Sequence, residues 1–264
     1  IYSEIRNSAY KIDNLKAIDI LEDKEIISLM HDIYFSEFGT RRRFSFDLHE
    51  RIVADLASCK NCTGTSNVYL AKKYNMTPIG TFPHEWMMFH AGVFGYKRAN
   101  YLGLEDWVKV YDGNLGTALI DTYTTASFLR TLTRKQAYLL SGFRQDSGDE
   151  IEIGEMIIKR LKEFNIDPRT KTIIFSNALN FEKAQRINDY FKNKVKVGFG
   201  IGTNLTCDPG LQGFKPANIV MKLSKCRMSD KDPWEKCIKI SDDLGKHMGD
   251  DLEFKIAYHE LHLD

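Results

Sequence analysis

Short apolar runs alternate along this chain with longer charged segments of helical period. Apolar positions three and four apart predict helices over 22–35, 43–57, 66–75, 84–98, 150–164 and 181–192. Runs rich in Ile, Val, Phe and Thr predict strands over 77–82, 115–121, 139–143, 171–176, 195–199 and 217–223. These runs lack clean in-and-out alternation, so they are expected to be covered on both faces. The fold class that follows is α/β, built on a parallel sheet or barrel. Ala217–Leu223 and Cys237–Ile240 flank a charged, proline-containing turn and are expected to form a β-hairpin.

Polar and glycine-rich clusters sit just past the ends of the apolar runs. They are Phe82-Pro83-His84-Glu85, Asp121-Thr122, Arg144-Gln145-Asp146-Ser147-Gly148-Asp149, Ser176-Asn177 and Gly200-Ile201-Gly202-Thr203-Asn204. In parallel α/β folds function gathers at the carboxyl ends of strands, so these clusters predict a site.

Composition narrows the possibilities. The 264 residues are 43% hydrophobic, enough for one large core or two modest ones. Lys+Arg and Asp+Glu stand at 37 and 36, without the basic excess of a nucleic-acid binder. The longest apolar runs, such as Thr172-Ile173-Ile174-Phe175, are too short to span a bilayer, and no signal segment is visible. No membrane association is expected. Cys59 and Cys62 form a C-x-x-C, but Cys207, Cys226 and Cys237 do not repeat the pairing a zinc site needs. The five cysteines are expected to be free thiols in a reducing cytoplasm.

Several clusters carry candidate chemistry, each beside a plainer reading. Gly200, Gly202 and Thr203 offer backbone N–H groups and a hydroxyl to a phosphate, and equally suit an ordinary strand-to-loop turn. Arg41-Arg42-Arg43 can grip phosphate or carboxylate, or form a solvated charge run. Phe38 beside them is a stacking face or a core residue. Arg144 and Asp146 can hold sugar hydroxyls, Mg²⁺ and an anionic substituent, while Asp149 or Ser147 can cap the helix that follows. His84, where a strand ends and a helix starts, can act as acid, base or phosphoryl acceptor, or be structural.

The order of these motifs carries a family likeness. Glu37-Phe38-Gly39-Thr40-Arg41-Arg42-Arg43, Gly64-Thr65-Ser66-Asn67-Val68 and Thr77 to Trp86 come first. Leu115 to Thr122, Phe143 to Asp149 and Phe199 to Thr206 complete the series. From about residue 30 to about 245 the chain resembles bacterial nicotinate phosphoribosyltransferases.

The resemblance implies a type II phosphoribosyltransferase fold, an irregular (β/α) barrel beside a second α/β domain. Residues 1–36 would be a helical lead-in and part of that second domain, 37–215 the barrel, and 216–264 a hairpin and tail packing on the second domain. Because the chain starts at Ile1, the N-terminal segment of the second domain is expected to be missing. The implied activity joins nicotinate to phosphoribosyl pyrophosphate, giving nicotinate mononucleotide and pyrophosphate for NAD biosynthesis. ATP is the co-substrate through a phosphohistidine, here His84. Mg²⁺ accompanies the pyrophosphate, with no side chain assigned as its ligand. Homodimers, with each site completed by the partner's N-terminal region, and a cytoplasmic location are implied as well. A nicotinamide-using sister enzyme and a non-catalytic sugar-phosphate-binding homologue are the alternatives.

Carried residue by residue, the likeness makes His84, Arg144 and Asp146 catalytic. Phe38 stacks on the pyridine ring, Arg41 meets substrate phosphates, and Thr40, Asp121, Ser176 and Asn177 line the substrate. Gly200, Gly202 and Thr203 hold the 5′-phosphate. Ser66 stands where the nicotinamide enzyme has an aspartate; its hydroxyl donates to a carboxylate, so the site reads as acid-specific. Ser176-Asn177-Ala178-Leu179-Asn180 departs from the Ser-Asp-x-Leu-Asp of many relatives, replacing two acids with amides.

Overall fold

A computed structural model describes residues 33–207, 216 and 218–263. In chain order the principal elements are β1 (Phe35–Glu37), α1 (Phe46–Leu56), β2 (Cys62–Thr65), α2 (Val68–Lys73), α3 (His84–Phe94), α4 (Tyr96–Tyr111), β3 (Thr117–Leu119), α5 (Thr125–Thr131) and α6 (Arg134–Leu139). They continue with β4 (Gly142–Gln145), α7 (Glu150–Glu163), β5 (Thr172–Phe175), α8 (Phe181–Phe191), β6 (Lys196–Ile201), α9 (Thr203–Thr206), β7 (Lys225–Cys226), β8 (Glu235–Lys236) and α10 (Asp251–Leu261). The fold is mixed α/β, and the larger sheet runs β2-β1-β6-β5-β4-β3.

The chain divides into two compact units. Among the described residues the first comprises 33–80, 174–192, 197–207, 216 and 218–220, and the second 81–173, 193–196 and 221–263. In the first unit β1 pairs in parallel with β2 and with β6. Its core is aromatic: Phe35 meets Phe181 edge-on at 5.1 Å, and Phe175 lies between Phe191 and Phe199. Asn180 caps α8, its side-chain oxygen accepting from Lys183 N at 2.8 Å. Asn and Asp cap equally well, so the amide at 180 keeps the helix start that an acid would give.

In the second unit β3 pairs in parallel with β4. Helix α7 shows why the sequence was legible there. Asp149 accepts from Ile151 N and Glu152 N, Arg160 and Lys162 complement the last turn, and Ile153, Ile157 and Leu161 bury one face.

Several predicted elements change. The described part of the 22–35 helix ends differently, because Phe35 opens β1; residues 22–32 lie outside the described residues. The helix predicted over 84–98 breaks at Gly95, whose φ of +82° no continuing helix accommodates, and α4 starts afresh at Tyr96. The 77–82 strand reduces to a bridge between Thr65 and Pro78, since Pro78 and Pro83 bring no N–H to a ladder. The hairpin is shorter and closer to its turn than predicted: β7 and β8 pair antiparallel, Lys225 with Lys236 and Cys226 with Glu235. Val220 and Met221, read as strand, are exposed. All five cysteines are free thiols. Among the described residues no helix is long and apolar enough to cross a membrane.

Gly142 opens β4 where a Cβ would lie 2.2 Å from the Thr172 carbonyl oxygen. Gly142→Ala is therefore expected to destabilise by about 1–3 kcal/mol, read as a lower urea midpoint at unchanged slope.

Candidate active site

In the second unit, the parallel register of β3 and β4 places Leu119 opposite Arg144. Two residues further along the chain, just past the end of each strand, come Asp121 and Asp146. Equal spacing from a matched pair brings the two acids to one level on one face. His84, the first residue of α3, meets them. Its buried ring has Nδ1 3.1 Å from Thr122 Oγ1 and 3.9 Å from Asp121 Oδ1, with Nε2 3.4 Å from Asp146 Oδ2.

Each acid is held differently. Asp121 is fully buried and accepts from the Ser147 hydroxyl, which in turn accepts from Asp242 N. Its other oxygen, Oδ1, has no hydrogen-bond partner among the described residues. Asp146 is half-buried and accepts from Arg144, whose second guanidinium nitrogen donates to Thr81 Oγ1 at 3.0 Å. Lys246 donates to the Asp146 carbonyl at 2.7 Å. Lys222 pairs with Glu85 at 3.0 Å. Lys239 is 4% exposed; burial pushes its ammonium pKa down, against the pull of Asp121 and Asp146.

Burial also lowers the His84 pKa, opposed by its hydrogen bond to Asp146 and the charge of Asp121, while Lys239 adds to the lowering. The imidazole is therefore neutral at pH 7, with one nitrogen lone pair available. Asp242 is pushed up to about 6, burial outweighing its hydrogen bonds from Thr125.

The other predicted residues lie in the first unit. Phe38 is half-buried, and its ring lies where a Cβ on Gly200 would be 2.5 Å from Phe38 Cδ2. A Cβ on Gly202 would be 2.9 Å from the Phe38 carbonyl oxygen. These two glycines thus admit the Phe38 segment against the end of β6, where Phe38 N donates to Ile201 O at 2.8 Å. The strand runs on through Gly200 and Ile201, which the sequence placed in the loop. Gly39 leaves room for Thr206, whose hydroxyl donates to the Gly39 carbonyl; a Cβ at 39 would be 2.1 Å from that hydroxyl oxygen. Thr40 and Arg41 lie in a 3-10 turn with Arg41 exposed, and Arg43 donates to the Thr40 carbonyl. Ser66 N donates to Glu37 O at 2.8 Å. Ser176, Asn177 and Thr203 are half-buried.

The structure therefore gathers His84, Asp121, Arg144 and Asp146 in one unit, and Phe38, Ser66, Gly200 and Gly202 in the other. It adds Thr122, Ser147, Lys222, Lys239 and Lys246 to the first group. Lys239 had a signal: it is the one charge in the apolar run Cys237-Ile238-Lys239-Ile240. Ser147 had none beyond its place in the Arg144–Asp149 motif.

One nitrogen of His84 and one oxygen each of Asp121 and Asp146 lie within 4.8 Å of one another. The two carboxylates suit a hard cation that keeps waters and substrate phosphates as its other ligands, and the unpartnered Oδ1 of buried Asp121 supplies a vacant acceptor.

Residues 33–263 match the sequence model of the nicotinate phosphoribosyltransferase (NAPRTase) family. The chain belongs to the nicotinate phosphoribosyltransferase family. It is 45% identical to the nicotinate phosphoribosyltransferase of Desulforapulum autotrophicum over 88% of this chain and 59% of that one. With that of Chromohalobacter salexigens it shares 46% identity over 86% of this chain and 58% of the relative. The crystal structure of nicotinate phosphoribosyltransferase from Porphyromonas gingivalis superposes with a TM-score of 0.86 at 47% identity, covering 89% of this chain and 61% of that one. The enzyme from Vibrio cholerae gives 0.88 at 32% identity, over 99% and 65%. The chain thus spans about three-fifths of the length of its nicotinate phosphoribosyltransferase relatives.

The folded-state pKa of His84 lies below its unfolded value. Its contribution to stability is therefore complete above the unfolded pKa and is lost as pH falls below it. NMR titration of the ring should show a pKa below the usual 6.5 of histidine. Asp146→Asn should lower it further, and a rise would refute the assigned role of Asp146.

Proposed function

We propose that this chain carries the catalytic part of an ATP-coupled nicotinate phosphoribosyltransferase. The enzyme makes nicotinate mononucleotide and pyrophosphate from nicotinate and phosphoribosyl pyrophosphate. The observation that carries this reading is the buried, neutral His84, fixed between Thr122 and Asp146 in a chain of this family.

The hydrogen bonds suggest how the coupling works. At rest the bond to Asp146 holds the ring proton on Nε2 while Nδ1 accepts from Thr122; for attack the ring takes the other tautomer, its Nδ1 proton toward Thr122 and Asp121. The Nε2 lone pair, on the side of half-buried Asp146, attacks the γ-phosphorus of ATP. The bond from that phosphorus to the β,γ-bridging oxygen breaks and ADP leaves. The added negative charge has Lys239, Lys246 and Arg144 at hand in the same unit. Hydrolysis of the phosphohistidine resets the site. When bound, Mg²⁺, held by Asp121 and Asp146, neutralises charge on the leaving pyrophosphate.

In the transfer itself the ribose–pyrophosphate bond breaks through an oxocarbenium-like state, and the pyridine nitrogen takes the anomeric carbon. Arg41, Arg144, Gly200, Gly202 and Thr203 position the phosphates, Thr40, Ser176 and Asn177 line the sugar, and Phe38 stacks on the pyridine. Ser66 donates to the nicotinate carboxylate. An aspartate there would repel it, which disfavours a nicotinamide-using enzyme. The His84-Glu85-Trp86 and Gly39-Thr40-Arg41 segments disfavour a quinolinate enzyme, which lacks ATP coupling. The reading extends to a cytoplasmic homodimer whose sites the partner's N-terminal region completes.

Full-length protein given nicotinate, phosphoribosyl pyrophosphate, ATP and Mg²⁺ should form nicotinate mononucleotide; no product would point to a non-catalytic homologue. His84→Ala should abolish the stimulation by ATP and retain slow uncoupled turnover. Ser66→Asp should lower the nicotinate-to-nicotinamide ratio of kcat/KM by about tenfold or more, since juxtaposed like charges cost several kcal/mol.

A further inference from the structure

Glu37 is an acid with no role in the chemistry above, and it is fully buried in the first unit. A carboxylate withdrawn from water must be met by donors. One oxygen accepts from Gly39 N, just past Phe38. The other accepts from the Thr65 hydroxyl at 2.5 Å, just before Ser66. The Glu37 backbone makes a third tie, its carbonyl accepting from Ser66 N at 2.8 Å. Thr65 is itself fixed, because its hydroxyl oxygen accepts from Asn67 N at 3.0 Å and Asn67 caps α2 through Leu70 N. His49 of α1, also fully buried, closes the remaining side with Nε2 3.1 Å from Glu37 Oε2, though off the line of a hydrogen bond.

One buried side chain therefore clamps two segments that are 28 positions apart in sequence. Phe38 presents the aromatic face and Ser66 the hydroxyl. We propose that Glu37 is a positioning residue that sets pyridine specificity by fixing Phe38 and Ser66 relative to each other. The inference rests on the proposed function, in which Phe38 stacks on the ring and Ser66 reads its carboxylate. Glu37 touches neither substrate. It acts by making the distance between a stacking face and a hydrogen-bond donor invariant, as discrimination between an acid and its amide requires.

A merely structural role would lower stability and reduce turnover of every substrate alike. A positioning role splits the parameters. In the full-length enzyme, Glu37→Gln keeps the shape but turns one acceptor into an amide donor that faces Gly39 N–H or the Thr65 hydroxyl. It should raise KM for nicotinate about tenfold or more and lower the nicotinate-to-nicotinamide ratio of kcat/KM. KM for phosphoribosyl pyrophosphate should move much less.

Thr65→Val removes one tie without touching the charge. It should lower the ratio in the same direction, and Thr65→Ser, which keeps the hydroxyl, should restore it. If Glu37→Gln fails to fold by circular dichroism, the Thr65 pair decides alone. An unchanged ratio in Thr65→Val, or equal losses for nicotinate, nicotinamide and phosphoribosyl pyrophosphate, overturns the proposal while leaving the proposed function standing. Absence of nicotinate turnover in the wild-type protein would instead overturn the proposed function, and this inference with it.

Discussion

A carboxylate taken out of water has to find donors, and that requirement organises both halves of this molecule. Asp121 in one unit and Glu37 in the other are fully buried. Ser147 donates to the first, and Gly39 N and Thr65 to the second. In each case the donors come from chain segments that also carry candidate site residues. The desolvation cost of one charge is met only when those segments are in place, so folding and assembly of the site are the same event.

The two acids differ in what is left over. Both oxygens of Glu37 have partners, which suits a fixed structural clamp. Among the described residues Asp121 Oδ1 has no hydrogen bond, and it lies toward His84 Nδ1. A buried acceptor left unsatisfied is costly and therefore informative. Around it, positive charge is supplied without any surrounding excess of it. The chain as a whole is at +1, yet Arg144, Lys239 and Lys246 gather near His84 and the two acids.

Much of this was legible in the sequence, for identifiable reasons. Helix α7 and helix α8 carry their own caps and a single apolar face, so periodicity located both within a residue or so. The family motifs gave His84, Asp121, Arg144 and Asp146 because strand register converts spacing along the chain into proximity. Short elements were harder. The three residues of β1 and the two of β7 leave no period to read, and Gly95 ends a helix by a backbone angle that apolar spacing does not encode. Lys239 and Glu37 escaped because a single charge becomes telling only once its burial is known. Lys239 stands alone in an apolar run, and Glu37 opens a motif whose three arginines draw the notice instead.

The fit between Gly39 and Thr206 has a consequence for the family's history. A methyl at 39 would fall 2.1 Å from the Thr206 hydroxyl oxygen and 2.2 Å from its methyl. Those positions are far apart in the chain but share one small volume. Neither can change freely while the other stays as it is. Across related sequences they should drift as a pair, a larger residue at 39 arising only where 206 has already become smaller.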